Sequence, residues 1–305
     1  MIKEKARLVG FDICGIARVR SFPDRESALR KWLSEGMNDK MGYLERDPEK
    51  RFNPSLVFPG VKSVVVTGMS YYSGIEQTEK GVPVLSRYTY GIDYHDVIVP
   101  KLEQILDLVK EKYPEAEGRA FSDTGFLHEK SWINEAGLGW QGRHSIMISR
   151  EIGSFFFIGI LMLNIELDYD DPFNKEYCGN CRLCIDACPV DAINENRTID
   201  ARKCISNRTI ENRGPIPEEI IANLGGRVYG CDKCQEVCPW NKDLKPNSHP
   251  EFTIDPEIAA MNRHDWESLT IEKFQRLFGK TALSRIKFDD FKRNISDALR
   301  SIDYQ

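Results

Sequence analysis

The stretch CGNCRLCIDACP, residues 178–189, spaces its cysteines as Cys178-x2-Cys181-x2-Cys184-x3-Cys188-Pro189. This is bacterial ferredoxin spacing: three close thiolates wrap one corner of a four-iron, four-sulfur cluster, and the fourth, followed by proline, reaches a second cluster. The stretch CDKCQEVCP, residues 231–239, repeats the pattern without its first cysteine, whose place Val228 holds. Cys204 is the nearby replacement. Eight thiolates then divide into two sets, Cys178, Cys181, Cys184 and Cys238 for one cluster, and Cys188, Cys204, Cys231 and Cys234 for the other.

Outward from these motifs, eight of nine cysteines fall between 178 and 238 in a chain of 305 residues. In a reducing compartment such crowding points to metal rather than disulfides. Zinc also takes four cysteines, but its sites come as two CxxC pairs across a spacer, so the spacing favours clusters. A radical-forming CxxxCxxC site fails on spacing, and Cys14, standing alone, reads as a buried core thiol. The start, Met1-Ile2-Lys3-Glu4-Lys5, does not resemble a signal peptide, and the longest apolar run, 155–163, is about half a membrane span. The expectation is a cytoplasmic protein with no membrane. Apolar content of 41% supports a real core, and a net charge of −5 argues against a globally basic nucleic-acid binder.

Three segments are expected: a mixed α/β module over 1–168, a ferredoxin-like module over 169–250 and short helices over 251–305. Val64–Thr67 reads as a buried strand, and Leu102, Ile105, Leu106 and Val109 recur at helical spacing before Pro114. Residues 145–149 and 154–163 read as strands joined by a turn, Asp170-Asp171-Pro172 as a linker, and Phe274, Leu277 and Phe278 as one helix face. Gly137-Leu138-Gly139-Trp140-Gln141-Gly142 matches GxGxxG, but a dinucleotide site needs a strand before it and a helix after it. Here a helix over 125–136 precedes and a strand follows. At that helix's start, Asp123 reads as an N-cap; the competing role is a general acid beside a redox centre.

Together these stretches resemble the epoxyqueuosine reductase family. The resemblance rests on Gly42-Tyr43-Leu44-Glu45-Arg46, Lys50-Arg51-Phe52-Asn53-Pro54, Arg87-Tyr88, Asp93-Tyr94-His95, Asp123, Glu135–Trp140 and Gly142-Arg143-His144-Ser145. It continues through Gly153–Phe156, Asp200–Ser206, Tyr229–Gln235 and Cys238-Pro239-Trp240-Asn241. It implies an N-terminal corrinoid-binding α/β (α+β) module with a nitroreductase-like sheet, related to reductive dehalogenases, fed by the two [4Fe-4S] clusters. It further implies reduction of epoxyqueuosine to queuosine at the tRNA wobble position, with cobalamin as cofactor and an external electron donor. On this correspondence Asp123 is the proton donor, reversing the cap-only preference. Cobalamin contacts implied are Arg46, Tyr88, Asp123, Gly142, His144, Ser145, Ser206 and Asp232.

Three departures limit the correspondence. Asp93-Tyr94-His95 is close to the D-x-H-x-x-G motif that supplies a lower cobalt ligand elsewhere, but position 98 is Ile, so His95 is not assigned that role. Asn207-Arg208 stands where the family usually carries an aromatic or apolar pair, and the chain ends at Gln305 where many members continue into helical repeats. Arg202, Lys203, Arg208, Arg213 and Arg227, with Arg197, Tyr229 and Trp240 nearby, form the expected anticodon stem-loop contact of a monomer. A corrinoid reductase acting on small molecules, or a plain electron carrier, are the competing functions.

Overall fold

The computed structural model describes residues 1–304. Eight strands are present: β1 (Ile13–Arg18), β2 (Ser63–Ser70), β3 (Val84–Leu85), β4 (Gly118–Phe121), β5 (Trp140–Gln141), β6 (Met147–Ile148), β7 (Phe156–Leu163) and β8 (Arg227–Tyr229). Thirteen helices and short 3-10 turns surround them, giving a mixed α/β chain. The chain divides into two compact units. The first comprises residues 1–37, 42–70 and 94–181; the second comprises 38–41, 71–93 and the chain from Arg182 on.

The first unit is built on an antiparallel sheet in the order β1-β2-β7-β4. All eight residues of β2 are buried, as its β-branched Val64-Val65-Val66 core requires of a strand covered on both faces. Each of these valines is fully buried, and burying one is worth about 1.5–3 kcal/mol. The helix Tyr94–Lys112 buries Val97, Ile98, Leu102, Ile105 and Val109, an i, i+3, i+4 stripe. It lies directly over β7, where a side chain at Gly159 would collide with Ile98 and Leu102. Phe22 packs edge-on against Trp132 at 4.9 Å within the core.

Several sequence expectations shift here. The helix expected over 125–136 begins only at Glu129, because residues 122–128 form an irregular loop. Its N-cap is His128, so Asp123 is not a helix cap. The strand expected over 145–149 shrinks to β6, since Ser145 lies in the left-handed region at φ 65° and belongs to a turn. The Asp170 segment has no helix or strand, yet it is pinned. Asp170 accepts from Ile16 N at 2.8 Å and Lys3 Nζ at 2.5 Å.

In the second unit β3 and β8 pair in parallel, with Leu85 opposite Tyr229. Val228 and Tyr229 share one core with Trp266, Phe274, Phe278, Phe291 and Ile295, so the C-terminal helices and β8 are a single packed body. The face Phe274, Leu277 and Phe278 is buried as its spacing predicts. Asn294, fully buried, donates to the carbonyls of Thr209 at 2.7 Å and Val228 at 3.0 Å. Among the described residues no helix is long and apolar enough to cross a membrane.

Candidate functional site

In the first unit Asp123 projects from the 122–128 loop with φ 60°, a conformation that costs a non-glycine residue energy and is held only by its surroundings. Two contacts hold it. The Tyr94 hydroxyl donates to Asp123 Oδ2 at 2.7 Å, and Asp123 N donates to Glu129 Oε1 at 2.6 Å. Tyr94 is itself stacked between Phe157 at 4.3 Å and His95 at 4.1 Å. Glu129 keeps some solvent access, yet burial and then the Asp123 charge push its carboxyl up to about 8. Asp123 is exposed, so its carboxyl can reach a molecule arriving from solvent. Nothing in the sequence pointed to Tyr94 or Glu129 as its partners.

The glycine-rich stretch forms a tight hairpin after the helix Glu129–Glu135, pairing Trp140 with Ile148 and Gln141 with Met147. Gly137, at φ 73°, ends the helix, and a side chain at Gly139 would strike the Ile148 carbonyl at 2.1 Å. A dinucleotide fold is therefore absent from this stretch, in line with the reversed element order. In the turn, Gly142 N donates to Ile146 O at 2.9 Å and Ile146 N donates to His144 Nδ1 at 3.2 Å. His144 is 2% exposed and its Nε2 has no hydrogen-bond partner. Burial first, then the Lys130 ammonium, hold its imidazole down at about 4, so it is neutral near pH 7. Lys130 Nζ donates to Ser145 O at 3.0 Å, and Gln141 Nε2 to Ser145 Oγ at 3.1 Å. The hairpin also reaches the first cysteine pair: Arg143 Nη2 donates to Gly179 O at 2.8 Å, and Trp140 meets Tyr177 edge-on at 5.2 Å. Cys181 N in turn donates to Cys178 O at 2.9 Å.

In the second unit the two cysteine motifs take the same backbone form. The short helices Leu183–Asp186 and Lys233–Glu236 are capped by Arg182 (φ −121°, ψ 5°) and Asp232 (φ −100°, ψ 4°) and end on Ala187 (φ −87°, ψ −7°) and Val237 (φ −87°, ψ −4°). Cys188 N donates to Ile185 O at 3.2 Å just as Cys238 N donates to Gln235 O at 3.1 Å. Val228, whose hydrocarbon side chain has no atom to ligate iron, is a fully buried strand residue. Cys204 stands at the N-terminus of the helix Ile205–Ile210; burial raises its thiol, while the N–H groups of Asn207 and Ser206 favour the thiolate. Ala192 N donates to Cys188 Sγ at 3.3 Å. Burial pushes Cys231 up to about 12 and Cys234 well above its ordinary value, the latter also through the neighbouring Cys231, Cys204 and Cys184 thiols. Cys204 thus lies close enough to Cys188 and Cys231, and Cys234 to Cys231, Cys204 and Cys184, for their charges to interact, and backbone N–H groups face the sulfurs of Cys188, Cys204 and Cys231. Among the described residues no three His, Cys, Asp or Glu side chains gather as ligands of a single metal ion.

The remaining expected contacts are divided between the two units. Of the cobalamin set, Arg46, Asp123, Gly142, His144 and Ser145 belong to the first unit and Tyr88, Ser206 and Asp232 to the second. The buried Asp232 carboxylate accepts from Ser86 Oγ at 2.5 Å and Arg87 N at 2.7 Å, pinning that turn. Among the basic residues, Arg202 is held two-pronged by Asp200, Arg208 lies 3.2 Å from Asp39, and Arg227 lies 3.7 Å from Glu236. Arg213 donates to Ile210 O, and Lys203 is exposed. Tyr229, expected beside an RNA contact, is 1% exposed and packs in the core, so it offers no ring to a base. Cys14, expected as a buried core thiol, is instead a half-buried residue of β1, its thiol raised to about 12 chiefly by burial.

Residues 177–241 match the 4Fe-4S double cluster binding domain family, and residues 51–124 match the family described as Epoxyqueuosine reductase QueG, DUF1730. An epoxyqueuosine reductase of Cellulophaga algicola is 40% identical over 295 residues, covering 97% of this chain and 96% of that protein. One of Cyclobacterium marinum is 39% identical, covering 97% and 94%. A crystal structure of epoxyqueuosine reductase with an epoxyqueuosine-modified tRNA-Tyr stem loop superposes with a TM-score of 0.92 at 31% identity, over 99% of this chain and 80% of that one. A Bacillus subtilis epoxyqueuosine reductase, solved with an aspartate-bearing catalytic loop swung out of its active site, gives 0.90 at 30% identity over the same shares.

Proposed function

The chain belongs to the epoxyqueuosine reductase family, and from that premise we propose that it reduces epoxyqueuosine at the tRNA wobble position to queuosine. The reaction takes two electrons and two protons; the epoxide oxygen leaves as water and a cyclopentene remains. The observation that carries this reading is Asp123, an exposed acid held by Tyr94 and Glu129 on an irregular loop, in a chain that also carries a double-cluster domain. The Bacillus subtilis relative's mobile aspartate loop supports giving Asp123 the proton-donor role.

Eight cysteines supply the clusters, one held by Cys178, Cys181, Cys184 and Cys238, the other by Cys188, Cys204, Cys231 and Cys234. The N–H groups directed at Cys188 and Cys204 favour iron-bound thiolates. Cobalamin, when bound, would take electrons singly from the clusters and deliver them to the epoxide. In the first unit Arg46, Gly142, His144 and Ser145 would contact it; Tyr88, Ser206 and Asp232 are the second unit's own expected contacts. The neutral His144 ring suits this, since its buried Nε2 has a hydrogen bond to give or accept and no protein partner. Gly142 keeps the turn clear, because a side chain there would press on His144 at 2.8 Å. Asp123 delivers a proton to the departing oxygen, and Tyr94 orients the carboxyl while doing so. The chain acts as a monomer in the cytoplasm, filled by an external low-potential electron donor.

Anaerobic incubation with cobalamin, a strong reductant and epoxyqueuosine-containing tRNA tests the assignment. Mass loss of one oxygen from the nucleoside is expected. An intact epoxide in protein with full iron content would reject it, leaving the small-molecule reductase or the electron carrier.

A further inference from the structure

Beside Asp123 the first unit presents an unusual surface. Phe126, three residues along the same loop, is 39% exposed, and Tyr43 is 41% exposed. Two cations sit over the Phe126 ring: Lys50 Nζ at 5.5 Å from its centroid and the Arg51 guanidinium at 5.8 Å. Arg51 Nη2 donates to Tyr43 O at 2.9 Å, joining both aromatics through one side chain, while its buried Nε has no hydrogen-bond partner. The exposed Arg46 adds a third positive charge to the group, and Lys50 Nζ also pairs with Asp47 Oδ2 at 2.9 Å.

A single part-exposed ring is ordinary, but one with two cations over it, on the loop that carries Asp123, is a surface that a partner can use. The cations choose the partner: a polyanion with flat, polarisable faces. Single-stranded RNA has both, since its bases stack on aromatic rings and guanidinium planes while its phosphates meet lysine and arginine. An acidic peptide would match the charge but bring no flat face for the ring.

We infer that Phe126 is the stacking platform for an unpaired anticodon-loop base adjoining the modified one, with Lys50 and Arg51 flanking its phosphates. The inference rests on the tRNA reading above and gives that reading a recognition site near the acid, on the first unit rather than among Arg202, Lys203, Arg208, Arg213 and Arg227. Three residues of chain reach at most about 11 Å, so a base stacked on Phe126 leaves its neighbour within range of Asp123.

An epoxyqueuosine-bearing anticodon stem-loop RNA is the probe, with 2-aminopurine substituted beside the modified nucleotide. On wild-type protein its fluorescence should be quenched by stacking. Phe126→Ala should abolish the quenching and weaken binding about 5- to 150-fold, and Phe126→Trp should restore both. Lys50→Ala should flatten the log–log salt dependence of binding by about 0.7. Unquenched fluorescence on wild type, or unchanged affinity in folded Phe126→Ala with full iron content, would overturn the stacking site while leaving the reductase reading intact. Failure of wild-type protein to reduce the stem-loop would instead overturn that reading itself.

Discussion

The Tyr94 hydroxyl donates to Asp123 Oδ2 across 2.7 Å, tying the first turn of the long helix to the loop acid. Asp123→Asn preserves an acceptor for Tyr94 and removes only the transferable proton. Single-turnover reduction should fall at least about 100-fold, the lower end of general-acid contributions, while the cobalamin absorption spectrum stays unchanged. Full activity would strip Asp123 of its role. Tyr94→Phe keeps the stack on Phe157 but loses a hydrogen bond to a charged acceptor, so turnover should drop about tenfold.

Glu129 makes the stability of the fold depend on pH. Its carboxyl is raised to about 8 in the folded protein, from an ordinary 4.5, by burial first and the Asp123 charge second. The folded state therefore binds more protons than the unfolded one between those values, and stability must fall as pH rises through the window. His128 and His144, held down at about 3 and about 4 by burial, act oppositely below about 6.5. The comparison that isolates Glu129 is thus wild type against Glu129→Gln in urea melts at pH 6.5 and 8.5. Wild type should lose up to about 2 kcal/mol across that interval, less with partial solvent access, and the variant almost none. Parallel curves would show that the carboxyl is not perturbed.

Cys204 should be indispensable to one cluster and Cys14 to none. Cys204→Ser should cut iron from about eight to about four atoms per chain, with the electron paramagnetic resonance signal of one reduced cluster lost. Cys14→Ser, on β1 and remote in sequence from both motifs, should keep the full complement. Retention of eight irons in Cys204→Ser would break the proposed division of ligands.

How far the sequence could be read depended on how local each feature is. Ligand spacing is a property of a dozen residues, so the motif at 178–189 and its partial repeat at 231–239 were visible, and the two turns share one backbone form. The β2 strand and the Leu102–Val109 stripe were legible for the same reason. The capping role first read for Asp123 does not occur, because the loop after β4 absorbs Gly125 and Phe126 and delays the helix to Glu129. The anchoring of Arg208 by Asp39, 169 residues away in the chain, left no local trace, and neither did the burial of Tyr229.

Asn294 is the least conspicuous of these long-range features and offers the sharpest stability test. It lies in the helix Phe288–Asp303 with no solvent exposure, and its amide donates to the carbonyls of Thr209 and Val228. One carbonyl belongs to the helix that starts at Cys204, the other to the strand leading into Cys231. Asn294→Leu fills a similar volume but strands both acceptors in the core, each costing about 1–3 kcal/mol. The variant should lose roughly 2–4 kcal/mol in urea melts, with an unchanged denaturant slope. Since the two carbonyls lie near Cys204 and Cys231, proposed as cluster ligands, iron should also leave faster under a chelator. Asn294→Asp, lacking the amide donor, should share both defects, whereas a distant surface change such as Lys5→Ala should show neither. Wild-type stability in Asn294→Leu would mean that the two carbonyls find other donors and that this helix does not brace the cluster segment.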